Sequence, residues 1–373
     1  MTSTKILVYT HALVDGGAER LWACIATAFK RRGFDVIFVQ DFEADDNRAN
    51  VDPAIPIVTL GGNHFRATWR LAKLLRAEQP DIALSAVGGC NTKVLIAKAL
   101  AGIPMHTLIS YHGYNEWKTG WLSWFTYMTL PVLSRLADRT IAVSEGLRDE
   151  LVTRWKSNPT KTVTIHNPVF FPQDAPVPSA AELAARDDIV LAVGRFVPEK
   201  DFVTLIRAFA RVKRNTARLV ILGKGPQKAL LEGEIRRLGL TDRVSLPGYS
   251  REPWMAYAKA KCFVLSSVSE PFGNVIVEAM AYGLPVVATA CSGPLEILKH
   301  GRFGRIVSLQ DEVQLAQAIE DTLAEPGEPS ERRRRAEDFS FASRFPAYEG
   351  IVEELCGTTA RHIAVGPDTI AAN

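Results

Sequence analysis

A short apolar run, then a glycine turn, then an amphipathic stretch: this triplet, repeated along the chain, most limits what the chain can fold into. Lys5 to Thr10 is the first apolar run and Asp15-Gly16-Gly17 the first turn; residues 18–32 then carry apolar side chains at helical spacing until Gly33 stops them. Phe34 to Gln40 reads as the next strand. Strands linked through helices lie parallel, because tight hairpins join only antiparallel neighbours. The pattern predicts further strands at 55–60, 81–85, 105–110, 139–143 and 162–165, with helices at 68–78, 92–100, 117–137 and 145–155. Prolines at 168, 172, 176 and 178 interrupt it, and the same grammar restarts. Strands follow at 188–193, 218–222, 244–246, 262–265 and 285–288, and helices at 202–214, 227–238, 254–259, 274–282, 313–323 and 342–355. The expected class is α/β, with two parallel-sheet domains facing a central cleft. They cover residues 1–168 and 188–340, with a linker at 169–187 and a last helix and tail at 341–373. Ligands of such sheets sit beyond the carboxyl ends of the strands, so the loops there carry the expected chemistry.

Several classes drop out on bulk properties. A net charge of +3 over 373 residues implies no nucleic-acid partner. Cys24, Cys90, Cys262, Cys291 and Cys356 are scattered without a Cys-x-x-Cys pair, which predicts reduced thiols rather than a disulfide frame or zinc site. No apolar run reaches the length of about 18 residues needed to span a bilayer. The opening MTSTKILVYTH reads as the entry to a strand, not a signal peptide, so the expected location is cytoplasmic.

The densest group of candidates runs from Leu265 to Leu298. A strand gives way to Ser266-Ser267-Val268-Ser269, then Glu270-Pro271-Phe272-Gly273, and a helix opens at Asn274. The first amides of a helix lack intrahelical acceptors and carry a partial positive charge, which suits a phosphate. Glu278 lies one turn inside, in the otherwise apolar run Val275-Ile276-Val277-Glu278-Ala279-Met280. An unpaired charge there is costly, so it either meets a buried cation or binds ligand hydroxyls; we favour the hydroxyls. Gly194-Arg195 at a strand end, with Lys200 five residues on, brings a planar donor fork and a mobile ammonium to one anion, or else leaves two solvated cations. Gly223-Lys224-Gly225 is either part of a phosphate loop or a plain strand-to-helix turn. Tyr249, after Leu246-Pro247-Gly248, offers a ring edge to a nucleotide base or simply ends a turn. His112 follows a strand end, where a histidine is either structural or faces the ligand. Gly16 and Gly17 allow close approach of a ligand, or of helix to strand.

Assembled, these residues resemble the retaining glycosyltransferases of family 4, whose architecture is GT-B, two Rossmann-like domains. The similarity is strongest from Asp188 to Val307: EPFGNVIVEAMAYGLPVVAT carries the family's two glutamates, Glu270 and Glu278, separated by seven residues. GRFVPEK is similar to the phosphate-binding turn and DGGAER to the glycine-rich loop on the acceptor side. The helix near 341–355 looks like the one that crosses back to the first domain. The resemblance implies roles. Arg195 and Lys200 would neutralise the donor diphosphate, and amides from Phe272 through Gly273 and Asn274 to Val275 would hold it, with Gly194, Gly223 and Gly225 lining the donor site. Glu278 would accept from the ribose, Glu270 would orient the transferred sugar, and His112 would bond that sugar near the reacting carbon. Gly16 and Gly17 would border phosphates and acceptor. One departure is Asp201, where the family often has glycine. The resemblance implies a nucleotide diphosphate sugar as co-substrate, UDP-linked in first place and GDP-linked in second, with no metal or other cofactor. Consistent with that, no Asp-x-Asp stands at a strand end; Asp45-Asp46 and Asp187-Asp188 sit in polar loop and linker settings.

The acceptor expected is a glycan or lipid-linked molecule in surface polysaccharide or glycolipid assembly. Trp117, Trp121, Trp124, Phe125 and Tyr127 are more aromatics than one buried stripe uses. They read either as a core helix with a wide apolar face or as a lip on an anionic membrane, with Lys118, Arg66, Arg70, Lys73 and Arg76 meeting headgroups. The run Arg332 to Arg335 reads as a solvated helix face. Other activities weighed are a sugar-nucleotide epimerase of the same architecture, a non-catalytic sugar-nucleotide-binding subunit and, last, a nicotinamide enzyme, which lacks its Gly-x-Gly-x-x-Gly.

Overall fold

The computed structural model describes residues 3–14, 16–114, 120–250 and 252–357. The chain divides into two compact units, Met1–Pro168 with Phe341–Asn373, and Val169–Ser340. In the first unit the order is β1 (Lys5–Thr10), α1 (Gly17–Arg31), β2 (Asp35–Gln40), β3 (Ile57–Thr59), α2 (His64–Glu78), β4 (Ile82–Ala86), α3 (Gly88–Ala101) and β5 (His106–Tyr111). Then come α4 (Trp121–Met128), α5 (Leu130–Leu136), β6 (Arg139–Ala142), α6 (Glu145–Thr153) and β7 (Thr162–Thr164). The sheet runs β3-β2-β1-β4-β5-β6-β7, every pairing parallel. β4 is buried along its whole length and β1 at all but its first residue, as strands covered on both faces must be. Helix α1 buries Trp22, Ile25 and Phe29 against them, and the side chains of Asn63 and Ser144 cap α2 and α6.

The second unit holds α7 (Ala180–Ala184), β8 (Ile189–Val193), α8 (Phe202–Ala210), β9 (Arg218–Leu222), α9 (Lys228–Arg237), β10 (Val244–Gly248), α10 (Trp254–Lys259) and β11 (Cys262–Leu265). It continues through α11 (Asn274–Ala281), β12 (Val286–Thr289), α12 (Ser292–Ile297), β13 (Arg305–Val307), α13 (Glu312–Ala324) and α14 (Pro329–Glu337). Its sheet runs β10-β9-β8-β11-β12-β13, again all parallel. Val190, Ala192, Phe196, Phe202, Phe209 and Ile221 anchor its core. Residues 169–187, read from sequence as a linker, fall within this unit: the Val169 amide donates to Phe339 O at 2.9 Å. The last helix, α15 (Phe341–Cys356), belongs to the first unit, where Phe345 meets Phe29 at 5.0 Å and Tyr348 meets Trp22 at 5.9 Å. Strand order reverses between β1 and β4 in one sheet and between β8 and β11 in the other. These are the switch points beside which α/β sheets receive ligands.

Two expectations need correction. The helix read at 117–137 is two helices, α4 and α5. Pro131 lies in the first turn of α5, where its missing N–H is harmless, whereas in a continuous helix it would remove a bond and clash. Trp117 and Lys118 lie outside the described residues. Nor is Arg332–Arg335 a solvated face. Arg332 and Arg333 are 8% and 9% exposed, and Arg332 Nε donates to Gly283 O at 2.9 Å. Arg333 Nη1 donates to Ala281 O at 2.8 Å, and Arg335 Nε to Ile297 O at 2.9 Å. The three guanidinium groups thus sit on the carbonyl ends of α11 and α12, where the helix dipole favours cations.

Candidate functional site

In the second unit the carboxyl ends of β8, β9, β10 and β11 bring Gly194, Gly223, Gly248 and Ser266 to one edge. Backbone packs against backbone there. A Cβ on Gly223 would fall 1.9 Å from Gly194 O, and one on Gly225 would fall 2.5 Å from Phe196 O. The Phe196 amide donates to Lys224 O at 2.9 Å. The two glycines therefore exist for close packing of one strand-end loop on the next, and the phosphate-loop reading of Gly223-Lys224-Gly225 needs that packing first. Phe196 is fully buried and pins its loop, leaving Arg195 exposed beside it. A 3-10 turn at Pro198–Lys200 follows, and Asp201 takes left-handed angles (φ 45°) while its side chain caps α8 by accepting from the Thr204 amide at 3.4 Å. That geometry explains why glycine suits position 201 and why aspartate, tolerant of that region and a good cap, replaces it.

Lys200 crosses the switch point to form an ion pair with Glu270. The Glu270 carboxylate also accepts from Ser267 Oγ at 3.2 Å, while Ser266 Oγ donates to Lys200 O at 2.8 Å and the Val268 amide to Glu199 O at 2.9 Å. The loops after β8 and β11 are thereby one assembly. Gly273 (φ 106°) opens α11, so its angle demands glycine, and Asn274 and Val275 form the first turn. Phe272 is buried against Phe339 at 5.5 Å. Its ring therefore belongs to the core of this unit. Glu278, half-buried one turn into α11, accepts from Tyr257 Oη at 2.8 Å, a phenol partner that neither sequence alternative named. Burial first, then the charge of Glu278, push the Tyr257 hydroxyl well above its usual pKa, so it remains a donor. Tyr249 is exposed, with Lys224 Nζ 4.6 Å from its ring centre.

In the first unit His112 follows β5. Its Nε2 lies 3.1 Å from Trp22 Nε1 and 3.0 Å from Ser110 Oγ. An indole N–H only donates, so Nε2 is the acceptor and the neutral ring carries its proton on Nδ1. Burial pushes the His112 pKa down to about 4, so the ring is neutral at neutral pH. Gly16, in extended backbone, precedes the first turn of α1, which Gly17 opens; Asp15 lies outside the described residues.

Sequence reading passed over a buried ionic cluster at the carboxyl edge of the same sheet. Lys93, on α3, pairs with Asp41 after β2; Tyr9 Oη donates to Asp41 Oδ1 at 2.7 Å, and His11 Nδ1 lies 3.3 Å from Oδ2. Burial raises the Asp41 pKa, but the hydrogen bond from His11 and the charge and hydrogen bond of Lys93 overcome it and hold the carboxyl below its usual range. Trp22, Tyr257 and Gly293 were also missed, and Ser266 and Ser267 were read only as a polar turn. A Cβ on Gly293 would lie 2.2 Å from Phe272 O, and the one available signal was its glycine-proline pair. A 680 Å³ cavity at the amino edge of the second sheet is lined by Asp188, Arg214 and Lys261, where Asp188 already pairs with both cations. Among the described residues, no three His, Cys, Asp or Glu side chains gather as a metal site. Nor, among the described residues, is any helix long and apolar enough to cross a membrane.

Residues 15–170 match the model of "Glycosyltransferase Family 4" and residues 178–339 that of "Glycosyl transferases group 1". The chain is 32% identical over 188 residues to a Campylobacter jejuni N-acetylgalactosamine-N,N'-diacetylbacillosaminyl-diphospho-undecaprenol 4-alpha-N-acetylgalactosaminyltransferase, half of this chain and 51% of that protein. It therefore spans about half the length of that relative. It is 26% identical to the Rhizobium meliloti lipopolysaccharide core biosynthesis glycosyltransferase LpsD, over 86% of this chain and 88% of that one. A crystal structure of Anabaena HepE in complex with UDP and glucose superposes with a TM-score of 0.81 at 21% identity, covering 94% of this chain and all of that one. The likeness shows the fold, two parallel-sheet Rossmann-like domains of the GT-B type.

Proposed function

This chain belongs to the group 1, family 4 glycosyltransferases, and from that premise we propose that it moves a sugar from a nucleotide diphosphate sugar, UDP-linked, to a hydroxyl of a glycan or lipid-linked acceptor. The setting is surface polysaccharide or lipopolysaccharide assembly at the inner face of a membrane; the undecaprenol-linked and lipopolysaccharide-core relatives support that direction. One observation carries the reading. Lys200 and Glu270 meet across the switch point of the second sheet, in loops that end at the start of α11.

Arg195, Lys200 and the first-turn amides of α11 supply fixed positive charge where the leaving diphosphate gains negative charge. Because side chains and backbone provide it, the transfer is assigned no metal. Glu278, steadied by Tyr257, takes the ribose hydroxyls, and Glu270 the hydroxyls of the sugar. By the family resemblance, His112 in the first unit is the residue expected to bond the sugar, and Gly16 and Gly17 those expected to border phosphates and acceptor. The bond from the anomeric carbon to the diphosphate oxygen breaks as that carbon bonds to the acceptor oxygen on the same face. The acceptor proton passes to the departing phosphate, so configuration is retained.

The test is a thermal-shift screen of nucleotides followed by mass spectrometry of products. UDP at 100 times its dissociation constant should add about 2.7 kcal/mol to stability by mass action. Arg195→Ala and Lys200→Ala should each lower turnover at least about 100-fold with folding intact, and a chelator should change nothing. Full activity in either variant sinks the assignment.

A further inference from the structure

Helices α2, α3, α4 and α5 pack side by side in the first unit. Arg76 Nε, on α2, donates to Ala101 O at the end of α3 at 3.0 Å, and Thr92, on α3, shares a hydrogen bond with Thr126, on α4, at 2.7 Å. With Thr126 and Tyr127 buried, the other side of α4 presents Trp121, Trp124, Phe125 and Met128 to solvent, at helical spacing. Val132 and Leu136 prolong that stripe on α5, and Phe65 and Trp69 form another on α2. Ile96 and Leu100 lie on α3 between them, Leu100 O accepting from Arg76. These are not marginal exposures: Phe65 is 84% exposed and Trp121 72%. Isolated apolar side chains are normal on a surface, but a run of them across four helices marks a docking face.

Charge selects the occupant. On α2 the exposed cations are Arg66, Arg70, Lys73 and Arg76, and α5 adds Arg135. The only carboxylate on the four helices is Glu78, held by Lys5 at 3.0 Å. Lys73 Nζ sits 3.8 Å from the centre of the Trp69 ring, which puts an ammonium and an indole together, a pairing suited to the headgroup layer. A second copy docking by the same face would set cation against cation. An acidic, apolar-cored surface meets both requirements.

We infer that this face of α2 to α5 binds the surface of a bilayer containing anionic phospholipid, lying in the headgroup layer with its indoles and phenyl rings inserted. It deepens the lipid-linked acceptor proposed above and rests on that reading for its purpose, yet it is measured without turnover.

The experiment is flotation of the full chain with vesicles of phosphatidylcholine, alone or with phosphatidylglycerol, together with analytical ultracentrifugation. The wild type should float with phosphatidylglycerol vesicles and much less with phosphatidylcholine alone. Phe65→Ser with Trp69→Ser should cut partitioning about tenfold or more, the least expected for withdrawing a large side chain from an apolar medium. Arg66→Gln with Lys73→Gln should abolish the preference for anionic vesicles. Trp121→Ser with Phe125→Ser, on a different helix, repeats the test should the α2 pair disturb folding. The inference is overturned if the wild type stays in the soluble fraction, if both aromatic pairs float like wild type, or if the chain dimerises through this face and the aromatic variants dissolve the dimer. UDP binding by thermal shift is the separate arm: its loss with flotation intact would remove the transfer reading alone.

Discussion

Glu270 and Lys200, 11% and 19% exposed, are paired with each other. A diphosphate that draws on Lys200 must share it with that carboxylate. Glu270→Gln should therefore bind UDP about three- to tenfold more tightly while turning over donor more slowly, because one opposing charge has gone and so has the proposed grip on the sugar. Isothermal titration beside steady-state rates would show it; weaker UDP binding would contradict the role. The Asp41–Lys93 pair is the more deeply enclosed, at 3% and 4% exposure. Replacing one partner leaves a buried charge bare, so Lys93→Met should destabilise the protein by about 3–5 kcal/mol at neutral pH, measured by urea unfolding. The sign with pH follows from the lowered Asp41 pKa. A depressed carboxyl stabilises the fold above its unfolded-state value, and that contribution fades as pH falls through the folded value. The gap between wild type and Lys93→Met should thus narrow towards acid pH.

At the scale of the element, α14 acts as a clamp on α11 and α12. Arg333 closes the last turn of α11 at Ala281 O and also holds Gln173 O at 2.7 Å. Arg333→Met keeps much of the packing but strands buried carbonyls, which should lower stability by about 2 kcal/mol. Differential scanning calorimetry would register it, and an unchanged profile would show that solvent replaces the guanidinium. This role could not be seen in the sequence. PSERRRRAE has no apolar stripe, and an arginine that caps a distant carbonyl looks like one in solvent until the chain is folded. In contrast, the turn at Gly273 and the helix start at Asn274 were legible, because a turn and a helix start are local events. α4 shows the intermediate case: its aromatics were visible, but which of them face inward depended on Thr126 and Tyr127 packing below.

For the whole molecule, the two parallel sheets were legible because buried strands such as Ile82–Ala86 are apolar throughout and are followed by glycine turns and helices. What escaped were contacts between residues far apart in the chain: Trp22 with His112, Asp41 with Lys93, Tyr257 with Glu278. Each needs the topology before it can be drawn, since β1 and β4 are neighbours in space with two strands between them in sequence. On the proposed donor role of these loops, the packing of Gly223 and Gly225 on residues 194–196 carries a practical consequence for redirecting donor choice. A mutagenesis library aimed at those glycines would return mostly collapsed loops, for no side chain fits between two main chains in contact. Diversity belongs at Lys224 and Tyr249, whose side chains are exposed and leave the backbone scaffold untouched.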